Sequence, residues 1–178
     1  MRLDPDKLGK QPSAMSEAEF VAAFGRIYED SPWVAQAAWN KGIDARHDRV
    51  APLAAALAIV VDNADAATTL ALIRAHPDLA GRAAMRGELG PASRREQAGA
   101  GIDQCTPEEY ARFQALNRAY KEKFGFPFVM AVKGSDRHAI LAAFAQRLDN
   151  DAETEHRRAM IEIHRIARLR LEDIAVPE

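Results

Sequence analysis

The chain has 178 residues, with 24 basic against 26 acidic side chains and a formal net charge of -2. Its 48% hydrophobic and 28% charged fractions match a globular domain and exclude a disordered chain. The near-neutral balance provides no general electrostatic footprint for nucleic acid. A lone cysteine, Cys105, excludes an internal disulfide and a structural thiolate zinc site, and it fits a reducing compartment. No segment approaches the roughly 18 uninterrupted apolar residues of a membrane span. The N-terminus lacks the apolar run of a secretory signal, and Val176-Pro177-Glu178 carries no retention or peroxisomal address. A cytoplasmic, all-α, compact single-domain multi-helix bundle over 15–174 is expected, after a flexible lead-in over 1–14.

In chain order, Ser16-Glu17-Ala18-Glu19 has the pattern of a capping box, followed by Phe20, Val21 and Phe24 and closed near Gly25. Ser31-Pro32 is expected to open a short helix ending near Gly42, with serine accepting the free amides. Leu53 to Val61 reads as a buried helix with Pro52 at its start. Asp65 can cap the next helix, through Leu70, Leu72 and Ile73, which stops before Pro77. Thr106-Pro107-Glu108-Glu109 starts a long helix, with Tyr110, Phe113, Leu116, Tyr120 and Phe124 at helical spacing and Gly125 to end it. Phe126 to Val132 has no partner strand in the sequence and reads as an extended segment crossing the core. Ser135 is expected to start a helix carrying Ile140, Leu141, Phe144 and Leu148. Asp151 caps a last helix reaching about Asp173.

Four places carry chemistry on a first reading, each with a plainer alternative. In His76-Pro77-Asp78-Leu79-Ala80-Gly81, Pro77 holds His76 out of helical geometry at a helix end, where an imidazole can move protons near neutral pH. The alternative is a histidine complementing its helix dipole. Ser93-Arg94-Arg95-Glu96-Gln97 has a capping box as its plain explanation, with Ser93 the cap; the functional reading is a helix start that meets an anion, with Glu96 polarising a histidine or accepting a proton. Phe126-Pro127-Phe128-Val129 is core material whose extended backbone amides can also meet ligand oxygens. On the last helix, about 100° per residue places Ala159, Ile163, Ile166, Ala167 and Arg170 on one face, with Arg168 nearly opposite. A guanidinium on that stripe needs an acidic partner or a bound carboxylate, unless it snorkels. The five histidines show no metal-ligand spacing, and no phosphate-binding glycine pattern occurs.

Taken in order, these segments resemble the 2-oxo-4-hydroxy-4-carboxy-5-ureidoimidazoline (OHCU) decarboxylase family from Phe20 to about Leu171. The resemblance rests on Glu29-Asp30-Ser31-Pro32-Trp33 and on Leu72 through Gly81. It continues through Ser93, Glu96-Gln97, Leu116-Asn117 with Tyr120, and Lys123 through Val129. Arg147-Leu148-Asp149-Asn150, Glu155 and Arg168-Leu169-Arg170-Leu171 complete it. It implies His76 as acid/base with Glu96, and Arg170 as the functional arginine. It also implies that Pro77, Ser93, Gln97 and the backbone at Phe128 and Val129 bind the substrate. By the same resemblance the reaction is the decarboxylation of OHCU to S-allantoin in urate degradation, in a homodimer and with no cofactor or metal, while composition and charge lead to an expectation of no nucleic acid and no membrane. Outside it stand a decarboxylase or hydrolase of a related ureido acid, and a catalytically silent helical module.

Overall fold

A computed structural model describes residues 6–81, 84 and 86–175. Over these residues the secondary structure is helical, and β pairing is confined to an isolated antiparallel bridge between Lys7 and Arg49. The all-α expectation holds. The chain groups into two compact units, Met1–Ala75 with His164–Glu178, and His76–Ile163.

In the first unit, α1 (Glu17–Phe24) starts at Ser16, whose side chain and that of Glu19 reciprocally satisfy each other's backbone amides. This exchange contributes about 1 kcal/mol to a helix start. Helix α2 (Trp33–Lys41) follows a turn at Asp30, which adopts a left-handed φ of 43°. Ser31 does not cap it: the turn brings the Ser31 hydroxyl back to donate to the Glu29 carbonyl at 2.8 Å. Helix α3 (Val50–Asp62) begins two residues before Pro52, which lies in the first turn where no intrahelical donor is needed. In α4 (Ala66–Ala75), Asp65 Oδ1 accepts from Thr68 N at 2.7 Å, as the sequence predicts. Phe20, Phe24, Leu53, Leu57, Val61 and Ile73 fill the interior, and each such side chain contributes about 1.5–3 kcal/mol by leaving water.

The expected loose lead-in is tied down where it is described. Leu8 is buried, Val50 N donates to Asp6 O at 2.7 Å, and Ser13 donates to the Asp48 carboxylate through both its amide and its hydroxyl. Residues 1–5, 82, 83, 85 and the C-terminal 176–178 lie outside the described residues.

In the second unit, α5 (Pro91–Gly99) precedes the long α6 (Pro107–Phe124), which has a capping box at Thr106 and a left-handed Gly125 at its end. Tyr120, Phe126, Phe128 and Phe144 form an aromatic cluster, with the Phe128 and Phe144 rings stacked at 3.9 Å. Helix α7 (Arg137–Arg147) is capped by Asp136 and not by Ser135: its carboxylate accepts from His138 N and Ala139 N, both at 2.9 Å. A carboxylate can accept both amides, which a hydroxyl does less readily. Asp151 caps α8 (Ala152–Ala175), whose residues from His164 onward belong to the first unit.

Candidate active site

His76 directly follows α4 and is 7% exposed, and Pro77 prevents the helix from continuing through it. The chain then turns sharply. Ala80 takes a left-handed φ of 51°, and a Cβ at Gly81 would lie 2.7 Å from that of Asp78, so only glycine fits there.

Side chains from α5 and α6 hold this turn by its backbone. Gln97 Oε1 accepts from Ala80 N at 3.1 Å, and its Nε2 donates to Asp78 O at 3.3 Å. Asn117 donates to Leu79 O at 2.9 Å and Gln114 to Ala80 O at 2.6 Å. Lys121 pairs with the Asp78 carboxylate at 2.6 Å. Three successive carbonyls are therefore satisfied by side-chain amides, in a loop that forms no secondary structure to satisfy them itself. Asn117 Oδ1 is buried and meets no donor among the described residues.

Helix α5 starts at Pro91, with Gly90 as its cap, so Ser93 is inside the first turn. This overturns the capping-box alternative for Ser93 and Glu96. The proline's fixed φ begins the helix three residues earlier than a serine cap at Ser93 would. Ser93, Glu96 and Gln97 then share a face at i, i+3 and i+4. Ser93 and Gln97 are buried and Glu96 is half-buried.

Phe126 to Val132 forms neither helix nor strand and is largely buried. Charged side chains secure it. Arg147 Nη1 donates to Val129 O at 2.8 Å and its guanidinium lies 4.3 Å over the Phe128 ring. Glu162 accepts from Ala131 N at 2.9 Å. Arg147 is bound in turn by Glu155, which also accepts from Tyr120 and Asn150. Burial raises the Glu155 pKa, but these donors outweigh burial and hold it below the usual carboxylate value. Burial, and next the Glu155 hydrogen bond, push the Tyr120 phenol upward.

Arg170 belongs to the first unit, whereas the other selected residues belong to the second. The helix-phase reading is right about its environment: Ala159, Ile163, Ile166, Ala167 and Arg170 are buried, while Arg168 is exposed and pairs with Glu172. Arg170 Nη2 meets Glu29 Oε2 at 2.8 Å, and Nη1 approaches the carbonyl of Ile27 at 3.4 Å. In the same unit a cavity of about 400 Å³ opens between Asp30, Ser31, Trp33, Asp65, Thr68 and Leu72, and none of the selected residues lines it.

Sequence reasoning missed Gln114, Arg147, Glu162 and Glu29 as supports. Asn117 was legible in phase, because 113, 117 and 120 fall on the core stripe of α6. Among the described residues, no group of three or more His, Cys, Asp or Glu is placed to hold a metal, and no helix is long and apolar enough to cross a membrane.

The model of the OHCU decarboxylase family matches residues 13–172. A 2-oxo-4-hydroxy-4-carboxy-5-ureidoimidazoline decarboxylase from Haloferax volcanii is 44% identical over 162 residues, covering 91% of this chain and 92% of that protein. The protein of the same description from Amia calva is 39% identical and covers 93% of each chain. A crystal structure of (S)-allantoin synthase superposes with a TM-score of 0.74 at 30% identity, over 96% of this chain but only 54% of the longer one. A crystal structure of an OHCU decarboxylase in the presence of (S)-allantoin, at 19% identity and a TM-score of 0.64, shares the fold over 89% of this chain and 97% of its own. With a family match spanning nearly the whole sequence and relatives matched over more than nine-tenths of both chains, the chain belongs to the OHCU decarboxylase family.

Proposed function

We propose that this protein decarboxylates OHCU to (S)-allantoin without a metal or organic cofactor. The observation that carries the reading is His76, buried at the end of α4 on a loop pinned by Gln97, Gln114 and Asn117, in a chain of this family. A histidine held in this way can receive and return a proton without reorganising.

The substrate ring carries a carboxylate and a hydroxyl on one carbon, beside the ureido-bearing carbon. The bond to the carboxylate breaks, carbon dioxide leaves, and the electron pair passes into the adjoining conjugated carbon–nitrogen system. No separate electron sink is required. His76, polarised by Glu96, takes the hydroxyl proton as the carbonyl forms and delivers it to the ureido-bearing carbon from one face. A proton from water restores the ring nitrogen, which balances the reaction. Arg170 serves the substrate carboxylate, Ser93 and Gln97 the polar ureido edge, and the Phe128–Val129 backbone the anionic oxygens, with Pro77 against the ring. Assembly as a homodimer and a cytoplasmic location belong to the same reading. The first is what the sequence resemblance implies, and the lone Cys105 fits the second.

The test supplies OHCU made freshly from urate and follows chiral allantoin formation above the spontaneous rate. Rapid, stereospecific (S)-allantoin formation is expected, unchanged after exhaustive chelation. Loss of activity with chelator, reversed by one particular divalent ion, would remove the metal-free part of the reading. Sedimentation at micromolar concentration tests the dimer.

A further inference from the structure

The mechanism above makes no use of the most deeply buried charges in the second unit. Glu155 is 0% exposed, Glu162 2% and Arg147 8%. Such groups are costly to bury, and a buried ion pair adds little net stability over well-packed apolar side chains. Their positions suggest another use. Arg147 takes the carbonyl of Val129 and stacks on Phe128, and Glu162 takes the amide of Ala131. Each is itself secured, Arg147 by Glu155, and Glu162 by Arg158 at 2.8 Å. The strip is thereby gripped at a carbonyl on one side and an amide two residues on. Among the described residues the N–H groups of Phe128, Val129 and Met130 meet no acceptor. Buried segments rarely leave successive amides unpaired unless a ligand or water completes them.

We propose that Arg147 and Glu155, with Glu162, are positioning residues. They hold the Phe128–Met130 backbone from behind so that its free amides face the anionic oxygen developed during decarboxylation. This rests on the proposed reading of Phe128 and Val129 as a substrate-binding backbone, and it assigns the charges that preorganise it. A donor strip contributes to the rate only when it is already aimed, and a displacement of about 1 Å can cost about 100-fold.

Removing Arg147 alone would strand Glu155, so the decisive variant replaces both, Arg147→Met with Glu155→Met, keeping volume while removing the charges. Native melting behaviour is expected, with kcat lowered by about 100-fold and KM changed far less. In 15N-labelled wild-type protein, the Val129 amide resonance should move on addition of (S)-allantoin, and this movement should be lost in the double variant. Arg147→Lys, which keeps a cation beside Glu155 but lacks the guanidinium fork, covers the case in which the double variant does not fold; it too should lose kcat. A folded variant of either kind with native kcat and a native Val129 response overturns the proposal. A wild-type Val129 amide that ignores allantoin, in an active enzyme, instead removes the substrate-binding reading of the strip and this proposal with it.

Discussion

Gln97 accepts from Ala80 N at 3.1 Å while donating to Asp78 O at 3.3 Å, so one amide spans the turn that carries His76. The family resemblance implies that Gln97 binds the substrate, and the structure shows the same side chain holding the turn. Gln97→Leu would leave the buried Ala80 N–H without its acceptor and leave Asp78 O with only the Gly81 amide, at a cost of about 1–3 kcal/mol. Gln97→Glu keeps the acceptor for Ala80 and should lose less. Urea unfolding of the two variants checks this. Equal stability of Gln97→Leu and wild type would mean that the clamp carries no energy.

For the proposed proton-transfer pair His76 and Glu96, His76→Asn should stay folded and lose nearly all stereospecific (S)-allantoin formation. Glu96→Gln should also impair turnover, since it retains hydrogen bonding without the negative charge. If the two act as one device, the double variant is much less impaired than the product of the single defects. Steady-state kinetics corrected for spontaneous OHCU decay decide it. Multiplicative defects would show two independent roles, and near-native His76→Asn would remove the histidine.

The Arg170–Glu29 pair separates support from substrate binding. Arg170→Gln removes the guanidinium from a largely buried carboxylate and should destabilise by about 3 kcal/mol, whereas Arg168→Gln, losing an exposed pair, should change stability by less than about 0.5 kcal/mol. Adding Glu29→Gln to Arg170→Gln should recover much of the stability. If Arg170 also holds the substrate carboxylate, kcat/KM stays low in that double variant. Recovery of both stability and kcat/KM would make the arginine purely structural.

Acid should act on the second unit through Glu155. Its folded pKa lies below the ordinary value of 4.5, because the Arg147, Asn150 and Tyr120 donors outweigh burial. A depressed carboxyl pKa means that the unfolded chain binds the proton more readily. The stabilisation is therefore complete above the ordinary value and is lost as pH falls through the folded one. Urea midpoints measured downward from pH 7 should fall more steeply below about pH 5 in wild type than in Arg147→Met with Glu155→Met. Parallel curves would show that another carboxylate governs acid unfolding.

Helix identity was readable wherever a local rule governed it. The capping boxes at Ser16 and Thr106, the Asp65 and Asp151 caps and the Gly125 stop depend on residues within a turn of one another. Two starts were misread for the same reason: Asp136 competes with Ser135, and Pro91 with Ser93, for a single helix start. Local rules name candidates but do not rank neighbours, and the Ser93 error mattered because it left Glu96 looking like part of a cap.

The amino-acid order alone already specified an all-helical chain, an inward Arg170 and a histidine stopped at a helix end by Pro77, because each follows from periodicity or from a neighbouring residue's sterics. The family motif also follows from order. Folding was needed to show which polar groups meet. Gln97 and Ala80 are joined across 17 positions, Asn117 and Leu79 across 38, and Arg170 and Glu29 across 141. A hydrogen bond depends on a few tenths of an ångström and a direction, and no spacing rule carries that information over such separations.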